Sequence, residues 1–179
     1  MKRSRKLFAL GGVIASALWL MIGSVVASDS SLNAYGLSDV QVALADDAFI
    51  DWYAPSDPSF ETQNEFISLM FANAASKGGE TSLTGGEPAT IHVTVTKFDI
   101  LSTLELFFCC ASNEVAAIFE LRDAATGEAI RGPELLNFNH MGVGGVFGAL
   151  ASTEGQDQLT RVMNLIEAGT IAWLSPPSE

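Results

Sequence analysis

Ile91-His92-Val93-Thr94-Val95-Thr96-Lys97-Phe98-Asp99-Ile100 is the stretch on which the fold turns. Ile91, Val93 and Val95 alternate with His92, Thr94 and Thr96, the period of two that puts one side of a strand on an apolar core. The phase slips at Lys97, because Phe98 and Ile100 fall on the other parity, and this predicts a β-bulge or a strong local twist. Toward the C-terminus, Val115, Ala117, Phe119 and Leu121 repeat the period. Asp123-Ala124-Ala125-Thr126-Gly127 then predicts a tight turn with Gly127 at positive φ. The next strand, residues 129–138, contains Gly132-Pro133. A proline cannot donate to a ladder, so this strand is expected at an edge or with a bulge.

Toward the N-terminus, Val40, Val42 and Leu44 alternate with Asp39, Gln41 and Ala43, and Ile50 and Trp52 extend or repeat the pattern. Two segments carry the helical period instead. Asp57-Pro58 predicts a helix start, with the carboxylate accepting from open N–H groups and proline at the first helical position. Phe66, Ile67, Met70, Phe71 and Ala74 form its apolar face, and Lys77 followed by Gly78-Gly79 predicts its end. After a glycine-rich loop, Thr153 and Gln156 have the spacing of a capping box. Leu159, Val162, Met163, Ile166 and Trp173 then line a last helix, stopped by Ser175-Pro176-Pro177. Strand, helix, three strands and helix imply an α+β fold: a mostly antiparallel four-stranded sheet with two helices on one face, a two-layer sandwich.

The first 27 residues have a different character. Lys2, Arg3, Arg5 and Lys6 precede the apolar residues 7–27, which reads as a signal peptide with cleavage after Ala27 or as an uncleaved membrane anchor. No cysteine follows that could carry a lipid, and no paired arginines mark a twin-arginine signal. Residues 28–36 read as a flexible lead-in and residues 37–179 as one domain. The expected location is outside the cytoplasm: periplasmic, or tethered to the inner membrane if the segment is retained. Only five basic side chains (Lys77, Lys97, Arg122, Arg131, Arg161) follow residue 27, against all 21 carboxylates. Such a surface repels phosphate backbones and anionic headgroups, so no nucleic-acid partner is expected, and membrane contact is expected only through residues 7–27.

Ile50-Asp51-Trp52 with Asp57-Pro58, the helix over residues 63–78, Val93-Thr94-Val95-Thr96-Lys97-Phe98 and Leu121-Arg122-Asp123-Ala124-Ala125-Thr126-Gly127 occur in an order and spacing that resembles a family of small exported bacterial envelope proteins of unknown function, often lipoproteins. The resemblance covers most of residues 37–138. It implies an exported α+β domain and brings no activity and no catalytic residue. The chain departs from the family pattern in lacking a lipidated cysteine and in its apolar Cys-Cys segment, where relatives carry a polar, glycine-containing hairpin.

That segment, Leu106-Phe107-Phe108-Cys109-Cys110, is the candidate interaction tip. At the end of a hairpin Phe107 and Phe108 make an exposed patch suited to a protein partner; alternatively the hairpin folds back and places one of them in the core. Cys109 and Cys110 can close a strained ring, bridge to a second chain, or remain buried thiols. They lack the Cys-x-x-Cys spacing of a thioredoxin-like site. The other candidates are weaker. His92 shares parity with threonines, and His140 has no ligand at a metal spacing. Asp46, Asp47, Asp51 and Asp57 lack the alternating oxygens and central glycine of an EF-hand. Gly142, Gly144, Gly145 and Gly148 miss the third glycine of a dinucleotide loop, where Phe147 stands. Trp52-Tyr53 reads as a core cover. No catalytic, cofactor-binding or metal residues are therefore assigned, and no cofactor is expected. The expected role is a non-enzymatic envelope protein that binds another envelope component through a sheet edge or the tip. The alternative is a thiol-dependent or small-ligand-binding periplasmic protein centred on Cys109-Cys110.

Overall fold

The 91–100 stretch lies inside the sheet, as its alternation requires. The computed structural model describes residues 29–52, 63–100, 112–141 and 158–175. Strand β1 (Tyr35–Trp52) is followed by helix α1 (Gln63–Ser82), strands β2 (Glu87–Ile100), β3 (Ser112–Asp123) and β4 (Ala129–Asn137), the two-residue strand β5 (His140–Met141), and helix α2 (Gln158–Leu174). The sheet order is β1-β2-β3-β4, with β5 also on β3. β1 and β2 are parallel, and β2, β3 and β4 form an antiparallel meander. A parallel pair needs a crossover, and α1 lies within it. The expected α+β fold, with its mostly antiparallel sheet and two helices, is the one observed.

The phase slip at Lys97 is a β-bulge. Val95 faces Ala117 and Lys97 faces Ala116, so Thr96 is the extra residue. Its hydroxyl donates to the Ala116 carbonyl at 3.2 Å, which gives the interrupted ladder a partner. The bulge turns Phe98 and Ile100 onto the same side as Ile91, Val93 and Val95, where all five are buried. Val115, Ala117, Phe119 and Leu121 lie beside them on β3. The helices cover this side with Ile67, Met70, Phe71, Ala74 and Ala75 of α1 and Val162, Ile166, Trp173 and Leu174 of α2. Edge-to-face aromatic pairs run through the core. Phe71 meets Phe98 at 6.5 Å and Phe138 at 6.2 Å, and Phe119 meets Phe138 at 5.8 Å and Trp173 at 5.5 Å.

Gly78-Gly79 does not end α1, which continues to Ser82. A Cβ on Gly78 would stand 2.7 Å from Thr170 Cβ of α2, and one on Gly79 would stand 3.0 Å from Ile91 Cδ1 and Leu37 Cδ2. The pair is glycine so that α1 can touch α2 on one side and the sheet on the other, a packing need that outweighs the weak helix propensity. Thr170, fully buried at this crossing, donates its hydroxyl to the Ile166 carbonyl at 2.7 Å.

The polar segment ahead of β1 forms a 3-10 helix, Asp29–Ala34, with Leu32 buried against the core. His140, beyond the strand expected over residues 129–138, lies in β5. β5 prolongs β4, because the register that sets Ala116 opposite Asn137 continues through Phe138 N–H to the Val115 carbonyl (2.8 Å) and on to Asn113 opposite His140. The start expected at Asp57-Pro58 and the capping box at Thr153 and Gln156 lie outside the described residues.

Candidate functional site

The tip residues Leu106, Phe107, Phe108, Cys109 and Cys110 lie outside the described residues, between the ends of β2 and β3. Among the described residues, the fold offers solvent two sheet edges and the sheet face opposite the helices.

The edge at β4 is irregular. Gly132 has φ +84°, the Gly132-Pro133 peptide is cis, and the pairing with β3 shifts register twice between Phe119 and Arg122. The strand is thus both an edge and bulged, as its Gly-Pro pair predicted. Proline supplies no N–H, and a shifting register offers a partner strand no regular template. Leu135 is exposed on this strand, and the Arg131 guanidinium lies 5.8 Å from the Trp173 ring.

The strand at the β1 edge is longer, and near its start Gly36 also bridges Thr84. One shift lies between Leu37 and Asp39, and a larger one between Leu44 and Phe49, where residues 45–48 leave the ladder. Between them, residues 39–44 pair without interruption against residues 90–95 of β2. Val40, Val42 and Leu44 are half-buried toward α1, while Asp39, Gln41 and Ala43 are exposed, matching the alternation in the sequence. The Gln41 side-chain amide donates to the Asp39 carboxylate at 3.3 Å. Asp46 and Asp47 sit in the excursion and Asp51 lies further along, all exposed; Asp57 lies outside the described residues.

On the open face, register aligns Phe49, Lys97, Ala116 and Asn137 across four strands, and Ala43, Thr94, Ile118 and Leu135 in the adjacent row. Lys97 Nζ lies 5.4 Å from the Phe49 ring centroid and donates to Glu114 Oε2. That hydrogen bond raises the Lys97 pKa above its ordinary value. Arg122 makes a two-pronged contact with one oxygen of Glu120, Nε at 3.0 Å and Nη2 at 2.8 Å. His92 is half-buried here, opposite Gln41 and Glu120. Its strand parity was legible. The excursion at residues 45–48 and the alignment of Phe49 with Lys97 were not, because both depend on pairing between distant segments.

At the β3–β4 turn the Asp123 carboxylate accepts from the backbone N–H groups of Thr126 and Ala125, both at 2.8 Å. These bonds hold its pKa below the ordinary value. Gly127 takes φ +74°, as the turn sequence required. Burial first, then the carboxylates of Glu87, Asp123 and Glu128, raises the Tyr35 pKa. Among the described residues, no group of three or more His, Cys, Asp or Glu side chains could hold a metal ion. No described helix is long and apolar enough to cross a membrane, and residues 7–27 lie outside that set.

Solved structures similar to this chain include a single-substitution variant of the PelC dodecamer from Paraburkholderia phytofirmans, at 12% identity and TM-score 0.34, over 79% of this chain and 90% of that one. Another is a "putative lipoprotein" from Caulobacter crescentus CB15, at 13% identity and TM-score 0.33, over 82% of this chain and 93% of that one. Comparison with curated proteins gives no match. Residues 57–179, from the crossover through the meander to α2, match the model of a family of unknown function, DUF6778, and the chain belongs to that family.

Proposed function

We propose that this chain is an exported envelope protein, acting by binding and not by catalysis, whose α+β domain docks another envelope protein through a sheet edge or the tip at residues 106–110. The observation that carries the reading is the place of β1 at an edge of the sheet among the described residues. This is an 18-residue strand at the end of the sheet order, with Val40, Val42 and Leu44 only half-buried. A strand in that position presents unpaired backbone groups suited to adding a strand from another chain. Export is supported by the basic residues 2–6 followed by the apolar residues 7–27, and by the acidic domain beyond them. The charged side chains on the open face are bonded to one another, Lys97 with Glu114 and Arg122 with Glu120, which supports a recognition surface over a reactive one.

Two measurements test this together. Alkaline phosphatase fused after Glu179 is expected to be active only with residues 1–27 present. Chemical crosslinking in intact producing cells is expected to join the protein to one reproducible envelope partner. A fusion that is inactive with residues 1–27 present, or crosslinking that captures no specific partner, would contradict the corresponding half of the reading.

A further inference from the structure

We infer that residues 39–44 of β1 accept an extended, basic segment of a partner polypeptide as an added strand. This inference rests on the binding function proposed above and specifies its edge and the chemistry of the partner.

Three observations choose this stretch. It is the part of β1 between two register shifts, and it pairs without a break against residues 90–95, so its outer side keeps the regular spacing that a new ladder needs. On the opposite edge Pro133, Gly132 at φ +84° and two register shifts break the template over residues 129–133, and the in-register run of residues 134–141 carries a single carboxylate, Glu134. Val40, Val42 and Leu44 also remain half-buried, so a strand laid alongside would extend the apolar layer under α1 with its own alternate residues.

Charge identifies the occupant. β1 carries four exposed aspartates (Asp39, Asp46, Asp47 and Asp51) and no lysine or arginine. A second copy pairing along the same edge would bring together two strands that each carry four aspartates and no cation, and like charges gathered at a strand pair are destabilising. A segment alternating Lys or Arg with apolar residues meets both sides of the edge: its cations reach Asp39 and the Asp46–Asp47 excursion, and its apolar side chains continue the row of Val40, Val42 and Leu44. The excursion at residues 45–48 limits the added ladder to about six residues.

The test is random-peptide display against the immobilised full-length protein in detergent micelles. Enriched peptides are expected to alternate basic with β-branched or aromatic residues. Synthetic copies should slow hydrogen exchange at amides within residues 39–44. They should bind the triple variant Asp39→Asn, Asp46→Asn, Asp47→Asn at least tenfold more weakly, and the β4 variant Glu134→Gln with unchanged affinity. Enriched peptides without a basic excess, or protection on β4 in place of β1, would overturn this assignment while leaving the binding function standing. A protein that enriches no peptide would overturn both.

Discussion

Gly78 shows how one missing methyl group sets the distance between two helices. A Cβ there would meet Thr170 Cβ at 2.7 Å and the Glu167 carbonyl oxygen at 2.8 Å, and the second neighbour is backbone, which cannot rotate away. Gly78→Ala gains about 1 kcal/mol in helix propensity. The forced separation of α1 from α2 costs about 1–3 kcal/mol, and we expect a net loss of stability in urea denaturation. Gly86→Ala is the control, because nothing lies within 4 Å of a Cβ at that position, and its denaturation midpoint is expected to be unchanged. Phe119 is the larger test. It is fully buried and stacks edge-on against Phe138 and Trp173, so Phe119→Ala is expected to cost about 3–5 kcal/mol in the same assay.

At the scale of elements, the β3–β4 hairpin depends on an ionised Asp123. The folded protein lowers its pKa through the Thr126 and Ala125 amides, so the stabilisation is fully present above the ordinary aspartate pKa and is lost as pH falls through the depressed value. Asp123→Asn keeps an acceptor but cannot titrate. The difference in thermal midpoint between wild type and this variant is expected to be largest near neutral pH and to close as pH is lowered below the ordinary carboxylate range. A gap that does not change with pH would contradict the assignment. The elements themselves were largely legible in the sequence. Alternation in residues 91–95 and 115–121, the phase slip at Lys97, the turn at Gly127 and the edge character of Gly132-Pro133 are local signals, and each has its counterpart in the fold. The end of α1 was misread because Gly78-Gly79 is a stop signal in isolation, and its use as a crossing point depends on Thr170, far along the chain. The strand at His140 had no local signal at all: two residues carry no period, and their pairing is inherited from the register of β4.

At the scale of the whole molecule, a sheet covered on one face by two helices ends in two edges of different quality. One is interrupted by its own glycine and proline, and the other is marked by aspartates around an unbroken run at residues 39–44. On the proposed reading, a strongly acidic domain with such an edge discriminates between partners by charge, and raising the salt concentration is expected to weaken its association with a basic partner. Of the candidate site, the sequence made the alternation of β1 legible; the edge position of that strand emerged only from the strand order, and the tip residues lie outside the described residues. The measurement that tests the account most directly is a photo-crosslinking scan in the producing cell, with benzoylphenylalanine placed in turn at Gln41 on β1, Glu134 on β4 and Phe107 in the tip segment. The account predicts a discrete adduct from position 41, formed with one envelope protein through a basic extended segment, and none from position 134. No specific adduct from any of the three positions would contradict it.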